Sequence, residues 1–332
     1  MPTAPTLIAG RYRLGEPLGA GGMGRVWQAG DEILGREVAI KEIVLPDELI
    51  GKDREAVRKR TLREARAVAR LNHPGVVQVY DVLEADGRTF IVMEYVPSRS
   101  LQELLRADGP LDPQDAAQVG LAVLAALSAA HRAGVLHRDV KPANVLLAHD
   151  GRVVLSDFGI AIVEGDSHTT SSGVMLGSPE YMAPEQVRHG TAGVASDLWS
   201  LGATLYAAVE GRSPYHRRSV METVTALAVD EPDPPRQAGA LRPVLDGLLR
   251  TDPAERIDAA ETERLLATVA ETPPRSAEPA GRPAPAGGDI PRQRSAEPGE
   301  RITPAPEAAA AAAPAIEQPA TEPPAARPPE AR

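Results

Sequence analysis

Between His137 and Gly159 the sequence reads HRDVKPANVLLAHDGRVVLSDFG, and four of its side chains could do chemistry together: Asp139, Lys141, Asn144 and Asp157. They are two carboxylates, an ammonium and an amide, a set suited to a hard cation and to phosphoryl oxygens. The local pattern predicts how they meet. Val145, Leu146 and Leu147 are answered by Val153, Val154 and Leu155, and Asp150-Gly151 between them supplies positive φ for a hairpin turn. A hairpin brings its outer ends together, so Asp139, Lys141 and Asn144 face Asp157 across one mouth. By itself the pattern also fits a surface hairpin with acidic ends, and the surrounding elements must separate the two.

Taken with its neighbours, this stretch resembles the catalytic and metal-binding loops of the eukaryotic-type protein kinases, H-R-D-x-x-x-x-N followed by D-F-G. The resemblance covers roughly residues 11–270 and rests on separated motifs in the right order. Tyr12–Leu18 reads as a strand leading into Gly19-Ala20-Gly21-Gly22-Met23-Gly24, and Arg25-Val26-Trp27-Gln28-Ala29 alternates like a second strand. A dinucleotide-binding fold needs a helix after such glycines, whereas strand, glycines, strand is similar to the flap over ATP phosphates. Val38-Ala39-Ile40-Lys41 continues the match on a third strand, and a helix from about Asp53 to Leu71 carries Glu64. The resemblance implies that Lys41 binds the α/β-phosphates and pairs with Glu64. It further implies that Leu18, Val26, Ala39 and Leu146 line the nucleotide site with the glycine flap. Met93 would stand at the back of the adenine pocket, and Glu94 and Val96 would bond the base through their backbones.

The same resemblance assigns roles around the reaction. Asp139 would accept and orient the attacking hydroxyl, Lys141 would neutralise the transferring phosphoryl group, and Asn144 and Asp157 would hold Mg2+, with Mn2+ as an alternative. Lys141 two places after Asp139, and Gly177-Ser178 before Ala183-Pro184-Glu185, resemble the Ser/Thr-specific branch. Residues 160–185 resemble an activation segment with Thr170 and Ser172 as phosphosites and Arg138 as the phosphate receptor. Asp197-Leu198-Trp199-Ser200-Leu201-Gly202 is similar to the start of the helix that anchors the catalytic loop, and Arg256 is the implied partner of Glu185. The fold implied is α+β: a bilobal protein kinase fold, with a five-stranded β-rich N-lobe carrying one key helix (about 11–95) and a helical C-lobe (about 97–270).

Composition agrees with such a chain and narrows it. In 332 residues there are no Cys, excluding disulfides and thiolate metal sites, and a net charge of −10 argues against general nucleic-acid binding. Only four of 36 cations are lysines, Lys41, Lys52, Lys59 and Lys141, and two of them fall where a compact ammonium is wanted. There is no apolar run of about 18 residues and no basic-then-apolar leader, so the expectation is a soluble cytoplasmic protein. After about Glu271 there is no aromatic residue, and roughly half of the 32 prolines fall there, so 271–332 is expected to be a disordered Pro/Ala-rich tail. Arg-Ser-Ala-Glu-Pro occurs twice in it; Ser276 and Ser295 are candidate sites for a phosphopeptide-binding partner. The function expected is an ATP-dependent serine/threonine protein kinase acting on protein substrates and activated by autophosphorylation. The rivals are a nucleotide-binding pseudokinase scaffold and a small-molecule kinase of the same fold.

Overall fold

The computed structural model describes residues 7–21, 24–44, 51–85, 87–159 and 179–271, all within a unit spanning Met1–Ser276. Strands come first because β-branched and apolar residues alternate there. β1 (Leu7–Ile8), β2 (Tyr12–Gly21), β3 (Gly24–Asp31), β4 (Arg36–Ile43), β5 (Val79–Ala85) and β6 (Arg88–Glu94) form one antiparallel sheet in the order β1-β2-β3-β4-β6-β5. The sheet therefore has six strands rather than five. The extra one, β1, pairs Ile8 with Tyr12, and the side chains of both are buried with Val38, Ile40 and Val92. One buried side chain is too little periodicity to reveal a strand in sequence.

Helix α1 (Gly51–Val68) places Ala65 and Val68 against the core while its opposite face carries Arg and Lys. Then β7 (Ser98–Ser100) runs directly into α2 (Leu101–Asp108), where Ser100 and Glu103 make a reciprocal capping box. Below the sheet, α3 (Pro113–Arg132) and, after the short α4 (Pro184–His189), α5 (Val194–Glu210) pass through the centre of the helical lobe. Both are apolar nearly all round, which is what a fully enclosed helix requires. Trp199, Leu201, Leu205 and Tyr206 are completely buried, whereas α6 (Val220–Val229), α7 (Arg242–Leu248) and α8 (Ala259–Ala270) keep one wet face. Among the described residues no helix is long and apolar enough to cross a membrane.

The sheet's outer end is fixed by one buried carboxylate. Arg11 donates to both oxygens of Asp31 at 2.8 and 2.7 Å, and the amides of Ile33 and Leu34 donate to it as well. Arg11's bonds hold the Asp31 carboxyl down at about 2 against the opposing effect of burial. A carboxyl depressed in the folded state stabilises above its unfolded value, near 4, and loses that contribution as pH falls through about 2. Thermal melts across pH should therefore show Asp31→Asn less stable than wild type at pH 7, with the gap closing towards pH 2. A gap independent of pH would discard this account.

Candidate active site

The reactive mouth is built by a hairpin and one helix terminus. β8 (Val145–Ala148) and β9 (Val153–Leu155) pair antiparallel; Gly151, at φ 88°, closes the turn by donating to the Ala148 carbonyl. At the open end the Ser156 amide donates to the Asn144 carbonyl at 2.9 Å, so the two outer loops are stitched together. Asp197, in the first turn of α5 and almost completely buried, accepts the amides of His137 at 2.9 Å and Arg138 at 2.8 Å. Those bonds sustain a left-handed backbone at Arg138, φ 66°, that costs a non-glycine residue about 1–3 kcal/mol.

His137 links the two loops without entering the chemistry. Its Nδ1 accepts the Asp139 amide at 3.2 Å, so Nε2 carries the proton and donates to the Ser156 carbonyl at 2.9 Å. Complete burial lowers its pKa and keeps the ring neutral, and the ring centroid lies 4.5 Å from that of Phe158.

The structure brings the chemistry-bearing residues of the sequence into one cleft. Lys141 Nζ sits 2.8 Å from Asp139 Oδ2, and Asn144 Nδ2 donates to the Asp139 carbonyl at 2.7 Å and to Oδ2 at 3.1 Å. Across the mouth Asp157, at φ 58°, receives Lys41 Nζ at 2.7 Å. Burial pushes the Asp157 carboxyl up, but the ammonium of Lys41, with smaller help from His137 and Lys141, holds it below the ordinary carboxylate range. A divalent cation would find oxygen donors here, the Asp157 carboxylate and the Asn144 amide oxygen left over once Nδ2 is engaged. Among the described residues no group of three or more His, Cys, Asp and Glu could enclose a metal. The donor set thus fits an ion such as Mg2+ that completes its shell with water and phosphate oxygens.

Above the mouth the cleft is walled by the sheet. Val26 pairs with Lys41 across β3 and β4, and Ala39 pairs with Met93 across β4 and β6. Lys41, Ile91, Met93, Asp139, Asp157 and Phe158 line one cavity at the back of this cleft. The flap strands end at Gly21 and begin again at Gly24, while Gly22 and Met23 lie outside the described residues. Gly24 has φ 137°, and a Cβ there would lie 1.8 Å from the Glu42 carbonyl oxygen, so only glycine fits. Leu18 is half exposed at the rim, Arg25 is exposed beside it, and Leu146 is partly buried against the core. The Glu94 amide is already given to the Gln78 carbonyl at 2.8 Å. Val96, two residues on, is buried.

One expected pair is not formed. Glu64 meets Arg138 at 3.1 Å, and Lys41 is taken by Asp157 instead. Glu64 and Arg138 border one cavity of about 90 Å3 together with Val68, Val135 and Gly159. Both cations are chemically acceptable partners for a carboxylate, and the folded arrangement rather than residue type chooses between them.

Two further contacts had no signature in sequence beyond residue type. Arg152 of the hairpin reaches Glu94 Oε1 at 3.0 Å and also holds Asp150 at 2.8 Å, clamping the turn to the end of β6. His131, in the last turn of α3, has its Nε2 2.7 Å from Asp197 Oδ2. Thr170 and Ser172 lie outside the described residues.

Beyond them the chain is pinned by an ion pair. Arg256 donates to both oxygens of Glu185 at 2.9 and 3.1 Å, and its side chain is 1% exposed. Burial raises the Glu185 carboxyl, but the Arg256 bonds outweigh it and hold the group below the ordinary range. Breaking a buried pair from one side strands a charge at about 3–5 kcal/mol. Denaturant titration of Arg256→Met should show a loss of that order, partly restored by adding Glu185→Gln. An unchanged midpoint would refute it.

Comparison with known proteins agrees with this geometry. The protein kinase domain family matches residues 12–265. A probable serine/threonine-protein kinase of Corynebacterium efficiens is 39% identical over 237 residues, covering 70% of this chain and 35% of that protein. Serine/threonine-protein kinase PrkC of Bacillus subtilis is 36% identical over 259 residues, 76% of this chain and 39% of its own length. Serine/threonine-protein kinase PknA of Mycobacterium tuberculosis is 38% identical over 302 residues, 86% and 68%. The chain thus spans little more than a third of the length of the first two relatives. Family match, bilobal fold and site geometry converge, and this chain belongs to the protein kinase domain family.

Proposed function

We propose that this chain is a serine/threonine protein kinase that transfers the γ-phosphate of ATP, with Mg2+, to hydroxyls of protein substrates in the cytoplasm. The observation that carries the reading is the convergence of Asp139, Lys141, Asn144, Asp157 and Lys41 on one cleft, with contacts of 2.7 to 3.1 Å between them. Phosphoryl transfer needs little covalent help from protein, so positioned charges of this kind are sufficient machinery. Asp139 would orient the acceptor hydroxyl, and Lys141 and Lys41 would offset charge on the phosphates. Asn144 and Asp157 would hold the cation. The names of the relatives support the Ser/Thr class, as do Lys141 and Ser178 in sequence.

The Glu64–Arg138 and Lys41–Asp157 pairs support a resting arrangement. A phosphate at Thr170 or Ser172 would carry about −1.5 to −2 charges and compete with Glu64 for Arg138. We place the domain at 11–270 and read 271–332 as a tail; Ser276 and Ser295 in it lie outside the described residues, and a phosphopeptide-binding partner there is a proposal only. Purified protein incubated with γ-labelled ATP and Mg2+ should label itself between residues 166 and 178 and label added protein substrate. Nucleotide binding without any transfer would instead support a pseudokinase scaffold.

A further inference from the structure

We infer that Arg152 is a positioning residue for the nucleotide, acting through Glu94 on the segment that joins the sheet to the helical lobe; the inference rests on the kinase reading above. That segment is short. β6 ends at Glu94 and β7 begins at Ser98, so Tyr95, Val96 and Pro97 alone lie between them. Met93, just before it, borders the same cavity as Lys41 and Asp157. The kinase reading assigns the adenine to the backbones of Glu94 and Val96.

Both ends of the segment are held by one turn, that of the β8–β9 hairpin. At the far end the hold is made by backbone. The His149 amide donates to the Pro97 carbonyl at 2.9 Å, and Ser98 pairs with Ala148 across β7 and β8. Every non-proline residue carries the groups for such bonds, so they depend little on side chains. At the near end the hold is a side chain. Arg152 Nη2 donates to Glu94 Oε1 at 3.0 Å while its Nε engages Asp150 Oδ2 at 2.8 Å, so the guanidinium is oriented by its own turn before it reaches Glu94. Glu94 is tied in addition to the residue before β5: its amide donates to the Gln78 carbonyl at 2.8 Å, and its Oε2 accepts the Gln78 amide at 3.4 Å. The Arg152–Glu94 pair thus fixes the near end of the segment to the same turn that holds the far end. With side chains 37% and 20% exposed, the pair is partly shielded from solvent, and its loss should cost affinity several-fold rather than a thousandfold. Turnover should be spared. Asn144 and Asp157 stand at the opposite end of the hairpin, which the β8–β9 ladder and the Ser156 amide hold together without Arg152.

Steady-state kinetics on the full chain separate this role from a merely structural one. Arg152→Met is expected to raise KM for ATP about fivefold, with kcat and KM for the protein substrate within about twofold of wild type. Glu94→Gln weakens the pair from the other side and should raise KM for ATP about threefold. The double variant should match Arg152→Met rather than multiply the two effects, because both changes remove one interaction. Asp150→Asn keeps an oxygen for the Arg152 amide, which donates to it at 3.0 Å, and should leave KM for ATP within about twofold. The inference is overturned if KM for ATP holds in Arg152→Met, or if kcat falls as far as KM rises. It is equally overturned if the two effects multiply in the double variant, or if Asp150→Asn matches Arg152→Met. Should Arg152→Met not fold, Glu94→Gln decides, and an unchanged KM for ATP in it counts against the proposal. A wild-type chain that binds ATP but transfers no phosphate would end the kinase reading instead, and dissociation constants for ATP would then be compared across the same variants in place of KM.

Discussion

Asp139→Asn is expected to lower phosphoryl transfer by about 10²–10⁴-fold while leaving the fold intact, the range that removal of an orienting or general-base group produces. Asn matches Asp in size and keeps one oxygen acceptor, so the bond now received from Lys141 at 2.8 Å can persist in weakened form. The negative charge that would draw the proton of an acceptor hydroxyl is lost. So is the match between the ammonium of Lys141 and its partner, leaving Lys141 free to reorient. The Asn144 bond to the Asp139 carbonyl, 2.7 Å, belongs to the backbone and should survive, which is why the loop is expected to hold. The check is kcat on a protein substrate beside a thermal melt of each protein. Wild-type kcat in the folded variant would remove Asp139 from the role given to it.

The second large effect is expected from Lys41→Met. The Met side chain can follow the same apolar path along β4, so little core packing changes. What disappears is the charge 2.7 Å from Asp157 Oδ1 at a site where the lysine side chain is only 13% exposed. Loss of a charge aimed at transferring phosphates typically lowers rate by about 10²–10³-fold. The Asp157 carboxyl should move up towards its ordinary range, because the Lys41 ammonium is the largest influence holding it down against burial. Lys41→Arg should also be impaired, since a planar fork cannot replace a point charge in this space. Full activity in the Met variant, or ready rescue by Arg, would contradict this role for Lys41.

The resting pairs bear on both predictions. In this structure Lys41 and Asp157 satisfy one another, and Arg138 satisfies Glu64. On the proposed function a substrate complex would exchange ion-pair partners, with the cation and phosphates taking over what Lys41 and Asp157 now give each other. Such exchange is inexpensive when each partially buried charge leaves one opposite charge for another, and costly when any is left alone.

Much of this was legible in the sequence, and the reason is local. The hairpin at 145–155 follows from two apolar triplets around Asp150-Gly151, so the meeting of Asn144 with the Asp157 loop is a short-range consequence of chain geometry. The Ser100 cap, the Pro113 start of α3 and the enclosed α5 are likewise written in nearest-neighbour patterns. Asp139, Lys141 and Asn144 could be singled out because their stretch resembles the catalytic loop of the protein kinases, and Lys41 because Val38-Ala39-Ile40-Lys41 resembles the family's third strand.

Tertiary structure decided what depends on distance between elements. By residue type Glu64 could pair with more than one cation, and the fold sets it against Arg138. Asp197 meets His131 across 66 positions of sequence, and no periodicity within either helix signals that contact. Strand β1 and the Arg152–Glu94 clamp likewise exist because folding brings an unremarkable residue to a partner far along the chain. Residue type and short spacing fix which groups could react, because backbone dihedrals and hydrogen bonds act over a few residues. Which charges are paired at rest is fixed by packing, because Coulomb energy depends on a separation that only the assembled helices and sheet define.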